Sequence, residues 1–312
     1  MSNSEECVRE NKVRKLSSRK FKTTLFLAIC LFSPLFNFIF FYIPIHSGSV
    51  ILSFQTTIDG VTSLGWENFE VLFNEFANPY SKISESLKNT LIFFFSGLLI
   101  SKPLEFIFAY FIYKKIKGYK KFRYIFYLPC IIASVVTSSL VLFLTQPNGP
   151  LSIAWKYIFE TETAPFFFKD SRYALTSIIV FGILLGLGGG IVWYNAAMIR
   201  IPESITEYLT LEGVGMGREI VQFIIPLIWP TIAVFVLLSF VGIFTASGDI
   251  LLYTGGEYNT YTISFYIYAH TVGLASANLN YASAVGLFFT VLALPLSLII
   301  QRIVSHVEPI EY

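Results

Sequence analysis

Two groups of side chains in this 312-residue sequence have the types and spacing to do more than pack. Lys102 and Glu105 lie three residues apart inside an apolar run, so on a helix they share a face and can neutralise each other. Each such charge at a bilayer centre costs roughly 2.5–3.5 kcal/mol on insertion scales, so the pair is expected to face a protein interior or a partner subunit. A structural pair and a functional pair are both open readings. The second group is Tyr194, Asn195, Thr245 and Asp249, with Ser247 beside the last. A carboxylate accepts hydroxyl hydrogens and an amide both donates and accepts, which suits a polyhydroxylated solute. A plain helix-end or packing role for Asp249 is the alternative.

The other reactive types are dispersed. His46, His270 and His306 are far apart. Cys7 lies in a polar tail, Cys30 and Cys130 in apolar runs, so neither a disulfide framework nor a metal-ligand spacing is offered. No nucleophile elbow and no His/Asp/Glu cluster stands in the apolar runs, and no G-x-x-x-x-G-K-[ST] phosphate loop occurs. The expectation is no catalytic residue, no metal and no cofactor held by this chain.

The elements that must position these residues follow from composition. The chain is 54% hydrophobic and 13% charged, with mean hydropathy +0.65, against about 25% charged in soluble domains. It reads as an all-α integral membrane protein. Its net charge of +2 implies no nucleic-acid partner. Apolar runs at 24–45, 87–112, 124–145, 174–198, 223–246 and 282–303 make six expected transmembrane helices, each near the ~20 residues a bilayer needs. The first run is too long for a signal-peptide core and no small-residue cleavage site follows it. Pro34 and Pro44 are expected to kink or end it. The division is a tail at 1–23, a first span with external segment at 24–85, a core of five spans at 86–304 and a tail at 305–312. Seven Lys/Arg lie in the N-terminal tail, six at 113–123, and Arg200 and Arg218 at 199–222, whereas the other links carry Lys82, Lys156, Lys169 and Arg172. The positive-inside rule then puts both termini and the 199–222 link in the cytoplasm. Gly182, Gly186, Gly188, Gly189 and Gly190 crowd the fourth run, where small residues allow close helix approach.

Residues 201–230 hold most of the polar side chains of their half of the chain. Pro202 suits a first helical position, while Ser204 and Glu207 have capping-box spacing, so the helix starts at one or the other. Ile205, Tyr208 and Leu209 fall on one face, and Gly213 suits a left-handed cap. Tyr208, Leu209 and Leu211 are expected as apolar contacts for a partner, with Glu207 as a charged one. The polar face carries Glu203, Glu207 and Glu212, whereas a helix lying on anionic lipid would want Lys or Arg there.

Glu207, then Gly213, then Ile225-Pro226 resembles the cytoplasmic EAA signature of ABC importer permeases, with Tyr208 and Leu209 where that family usually has two alanines. Glu212-Gly213 is similar to the acidic-Gly pair of the carbohydrate-uptake branch. The external segment 64–69, Asn89-Thr90, the run from Lys120 to Pro129, Asn148-Gly149 with Leu151, and Asp249 through Tyr253-Thr254-Gly255-Gly256 with Phe265 to Tyr268 resemble further motifs of that branch, in order. The resemblance implies a type I ABC importer permease fold, with a cytoplasmic coupling helix between spans four and five. It implies that Glu207, Tyr208, Leu209, Leu211, Glu212, Gly213 and Gly215 couple the chain to an ATPase. It also implies as partners a second permease subunit, two ATPase subunits that use ATP and Mg, and an extracytoplasmic solute-binding protein. A sugar or oligosaccharide is the implied solute. A non-sugar solute such as a glycerol phosphate is the alternative; a channel is the other class, against which no span carries a charge ladder or filter-like repeat. Tyr258, Tyr261, Tyr266 and Tyr268 read either as sugar platforms or as interface belt residues.

The charge bias makes the orientation testable. Single cysteines at Glu67 and Arg218 are expected to react with impermeant reagents from opposite faces of intact cells. Labelling of both from one face would sink the topology.

Overall fold

The computed structural model describes residues 22–58, 61–245, 249–274 and 277–306. The basic tail with Cys7, Arg9, Lys12, Arg14, Lys15, Arg19 and Lys20, the solute-path candidate Ser247, and residues 307–312 lie outside the described residues. Among the described residues four helices are long and apolar enough to cross a membrane: α1 (Lys22–Phe54), α3 (Lys82–Tyr113), α7 (Ala174–Met198) and α13 (Leu279–Ser305). Two bent pairs pass the same test together, α4 (Tyr119–Ile131) with α5 (Ser134–Leu144) at 108°, and α9 (Met216–Leu227) with α10 (Trp229–Val241) at 76°. Between them lie α2 (Glu67–Ala77), α6 (Pro150–Phe159), α8 (Glu203–Leu211), α11 (Ile250–Tyr253) and α12 (Ile263–Val272).

Prolines explain both the continuous helices and the broken ones. A proline inside a helix removes one N–H and its ring presses on the carbonyl four residues back. Pro44, Pro103 and Pro226 each follow a five-residue π-turn, at Phe38–Tyr42, Gly97–Ser101 and Ile220–Ile224. The residue just before each proline donates five residues back, to Phe38, Gly97 and Ile220. The wider turn lets the helix continue. Pro44 therefore does not end α1, and Pro34, with no π-turn before it, does not end it either; the helix runs to Phe54, beyond the expected 24–45. The expected run 124–145 is broken instead. Downstream of Pro129, Ile132 and Ala133 are extended, at ψ 139° and 138°. Ile228 breaks the fifth run between Pro226 and Pro230.

The segments expected to be plain links carry structure. Strands β1 (Gln55–Ile58) and β2 (Val61–Leu64) pair antiparallel, Gln55 opposite Leu64. This hairpin departs from the all-α expectation. Asn68 clamps it to α1, its amide donating to the carbonyls of Ser53 and Gln55 at 3.0 Å each. Its own N–H and the Thr56 hydroxyl hold the Glu67 carboxyl below the usual carboxylate range. Asn89 and Thr90 do similar work inside α3. The Asn89 amide donates to the carbonyls of Asn259 and Tyr261, and the Thr90 hydroxyl accepts the Ile263 N–H at 2.9 Å. Motif residues read as external signatures thus satisfy backbone groups of distant loops.

Three apolar clusters hold the chain together. One joins α2, α3, α12 and α13 through Leu72, Ile83, Ile263 and Val285. A second joins α3, α7 and α9 through Tyr110, Leu187, Ile191 and Ile224. The third links α5, α7, α11 and α12 through Val141, Ile178, Ile250 and Phe265. The glycines of α7 divide by face. A side chain at Gly188 would meet the Phe126 carbonyl and Cys130, and one at Gly190 would meet the Glu105 carboxylate, while Gly182, Gly186 and Gly189 face open space.

Gly190→Val is therefore expected to destabilise the detergent-solubilised protein by about 1–3 kcal/mol through overpacking. Gly189→Val is expected to be neutral or slightly stabilising, since Gly is a poor helix former. Equal losses of thermal stability in both would refute this division of the faces.

Candidate functional site

The 201–219 segment projects from the ends of α7 and α9 as a helix and a turn. Pro202 is the N-cap, extended at ψ 137°, and no side chain caps the helix. The Ser204–Glu207 capping box does not form because α8 already starts at Glu203. The far end closes as the glycine demands: Gly213 has φ +65°, its N–H bonds the Thr210 carbonyl, and the Val214 N–H bonds that of Leu209. These are the paired bonds of a Schellman cap. No neighbour crowds a Cβ at position 213, so the left-handed backbone alone requires the glycine.

The faces of α8 sort the expected contacts. Leu209 is 2% exposed and, with half-buried Ile205 one turn earlier, seats the helix on the bundle. It is thus an anchor, not a surface offered to a partner. Tyr208 and Leu211 are 59% and 87% exposed, and Glu207, Glu212, Gly213 and Gly215 are exposed around them. A groove of about 870 Å³ lies beside this helix, lined by Glu207, Thr210 and Leu211 on one side and Tyr113, Lys114 and Lys115 on the other.

One contact at this site escaped the sequence reading. Lys114 Nζ lies 2.6 Å from Glu219 Oε1, with the Glu219 side chain 7% exposed. Glu219 stands in the first turn of α9 and Lys114 caps α3, each at the helix end whose dipole favours its sign. The only signal in sequence is an acid at the start of an apolar run; its partner lies far back in the chain, where no local spacing points.

Lys102 and Glu105 are paired as their spacing suggested, Nζ to the two carboxylate oxygens at 3.1 and 2.9 Å. The Ser101 hydroxyl donates to the same carboxylate at 2.9 Å. Glu105 is 3% exposed against Gly190 of α7, and the ammonium stands 5.2 Å from the Phe235 ring of α10. The pair therefore joins three apolar helices.

The other candidates do not converge. Tyr194 is buried near the 198 end of α7, its ring against Phe106 and Phe235, and Asn195 donates to the Ala109 carbonyl at 3.4 Å. Thr245 and Asp249 follow the opposite end of the α9–α10 pair. Thr245 is exposed and its hydroxyl is taken by Gly242, while half-buried Asp249 accepts from Ser138 of α5 at 3.3 Å. Tyr266 is a packing residue: with Tyr281 it donates to Glu75 of α2, at 2.9 Å each, and burial pushes its phenol well up, keeping it a neutral donor. Tyr261 carries Lys82 over its ring. Thr254 and Thr260 bond each other across the Gly255-Gly256 turn, where both glycines have positive φ.

The pairing of Lys102 and Glu105 sets an expectation for double mutants. Lys102→Met leaves the buried Glu105 carboxylate alone, at a cost of about 3–5 kcal/mol; Glu105→Leu leaves the half-buried Lys102 ammonium alone at a smaller cost; both together restore an apolar contact. Thermal unfolding is expected to show the double variant near wild type and both singles below it. Additive damage would mean that the charges do not depend on each other.

Comparison with known proteins agrees with this architecture. The sn-glycerol-3-phosphate transport system permease protein UgpA of Pectobacterium atrosepticum is 26% identical over 258 residues, covering 78% of this chain and 80% of that one. The polygalacturonan/rhamnogalacturonan transport system permease protein YteP of Bacillus subtilis is 24% identical over 301 residues, covering 95% and 91%. A chain of a bacterial alginate ABC transporter, solved in complex with an alginate pentasaccharide-bound periplasmic protein, superposes with TM-score 0.76 at 25% identity, covering 89% and 93%. Residues 106–309 match the family described as binding-protein-dependent transport system inner membrane component. That stretch takes in the C-terminal end of α3, from Phe106, and every helix after it, the 203–219 segment included, and on it the chain belongs to that family of transporter permeases.

Proposed function

We propose that this chain is one permease subunit of an ATP-driven importer that carries a sugar or oligosaccharide across the cytoplasmic membrane. The observation that carries the coupling half of this reading is α8. It is a helix anchored by Leu209 and closed by Gly213, and it turns exposed Tyr208 and Leu211 outward among Glu203, Glu207 and Glu212. An acidic face with two large exposed apolar residues is poorly made for anionic lipid and suits a groove on a soluble partner. That partner is an ATPase subunit, which holds the ATP and Mg. The two bent pairs each count as one span, making six, with both termini cytoplasmic in accord with the Lys/Arg bias. A second permease subunit and an extracytoplasmic binding protein complete the assembly, as the solved alginate transporter with its periplasmic protein supports.

A saccharide is preferred to a glycerol phosphate. The relative named for polygalacturonan and rhamnogalacturonan aligns over 95% of this chain, the one named for glycerol 3-phosphate over 78%. Asp249 with Ser138, and Thr245, stand as solute-path candidates at the external end of the fifth span.

The test uses the whole transporter in proteoliposomes with its binding protein. Saccharide, and not glycerol 3-phosphate, is expected to be taken up and to stimulate ATP hydrolysis. In Gly213→Val the chain stays in the membrane, but the left-handed backbone opposes a β-branched residue by about 1–2 kcal/mol, enough to weaken ATPase co-purification roughly five- to thirtyfold. Glu207→Lys is expected to lower co-purification or solute-stimulated hydrolysis likewise. Wild-type values of both in both variants would show that α8 is not the coupling element.

A further inference from the structure

The Lys114–Glu219 pair sits where the proposed docking segment meets the second span, and it carries an inference that rests on the coupling reading above. Among the described residues three ion pairs are found. Lys102–Glu105 and Arg172–Asp170 each lie within one turn of chain, so Lys114–Glu219 alone among them ties distant segments. It is set at the edge of an apolar cluster that includes Tyr110, Ile112, Ile201 and Ile224. The Tyr110 hydroxyl faces the same carboxylate, and Glu203 of α8 completes the charges near Tyr113.

Such a pair is poor value as glue. Stripping water from two ions offsets most of their attraction, and well-packed apolar residues would stabilise the contact as well or better. What a buried pair does supply is register, because only one placement of the two helix ends satisfies both charges. Here the register fixed is that of α9, directly after the docking helix, against the cytoplasmic end of α3. The chain itself links the docking segment to α7 and α10. It has no covalent link to α3 there.

We propose that Lys114 and Glu219 are a positioning pair that makes α3 move with the docking segment, so that force delivered at α8 reaches the second span directly as well as through α7 and α10. The pair touches neither solute nor nucleotide. It acts on α3, and through α3 on the Lys102–Glu105 junction with α7 and α10.

Two double variants in the assembled transporter test this. Lys114→Met/Glu219→Leu keeps an apolar contact but removes the directional tie. It is expected to retain thermal stability and ATPase co-purification, while ATP hydrolysed per solute imported rises about threefold or more, the scale of a coupling residue remote from both ligands. A wild-type ratio in that variant would overturn the proposal. The second is Lys114→Cys/Glu219→Cys, with Cys7, Cys30 and Cys130 changed to Ser, bridged by a short bis-thiol reagent. If the two elements travel as one body, uptake continues after bridging with a ratio near wild type. Arrest on bridging would mean that they separate during the cycle, and would overturn the proposal even if the apolar variant fails to assemble. Glu207→Lys run alongside separates the two ideas. Uncoupling there with none in the apolar pair defeats this inference alone, whereas wild-type behaviour of Glu207→Lys defeats the coupling reading beneath it.

Discussion

Polar groups inside hydrocarbon must find partners within the protein, and the architecture depends on how this chain meets that demand. Two carboxylates that would be untenable alone are paired with lysines, Glu105 with Lys102 and Glu219 with Lys114. Each pair lies where helices meet, so the need to neutralise a charge also sets which helices touch. Glu105 could not sit against α7 if position 190 carried a side chain. The glycine, the pair and the crossing of α3 with α7 are one solution. The same demand acts on the backbone at prolines 44, 103 and 226, where a π-turn keeps each helix running. After Pro129 and around Ile228 the helices instead bend, by 108° and 76°.

α9 leads out of the 203–219 segment and turns sharply into α10, and α10 brings Phe235 to Lys102 and Tyr194. Helix α8, the Glu219 contact and the Lys102 junction therefore lie along one route through packed elements. A displacement at α8 meets no long loop on that route that would absorb it. The opposite end of the bundle is built differently: Asn68, Asn89 and Thr90 clamp loop carbonyls and a loop N–H, which ties the hairpin to α1 and the 259–263 turn to α3.

Much of this was legible in sequence because it is local. Apolar runs marked the helices, the spacing of Lys102 and Glu105 marked the pair, and Gly213 marked the end of α8 through its backbone alone. What stayed hidden depends on distant partners. Ile205, Tyr208 and Leu209 share a helical stripe, yet tertiary packing takes Leu209 and Ile205 inward and leaves Tyr208 out. Helix α6 is hard to see in the sequence because its ten residues are too few to span a bilayer. The hairpin hid in a stretch whose Thr and Ser residues read equally as loop. Lys114 was one lysine among six basic residues, and nothing in its neighbourhood named Glu219.

The solute path was the least legible part, for a physical reason. Side chains that touch a solute must stay uncommitted to their own chain, whereas polar groups inside a single folded subunit are driven to find partners there. Asn195 has given a hydrogen to Ala109, Thr245 has given its own to Gly242, and Tyr266 with Tyr281 has turned to Glu75. Polar type and position in a span are therefore poor guides to the path. The better guide is a polar group whose bonding is only partly met inside its own chain. Asp249 is the candidate of that kind among the described residues: half-buried, it takes one long hydrogen bond there, from Ser138, while a carboxylate has room for several. A path between two subunits would draw on such half-satisfied groups from each, and one sequence can display only half of them.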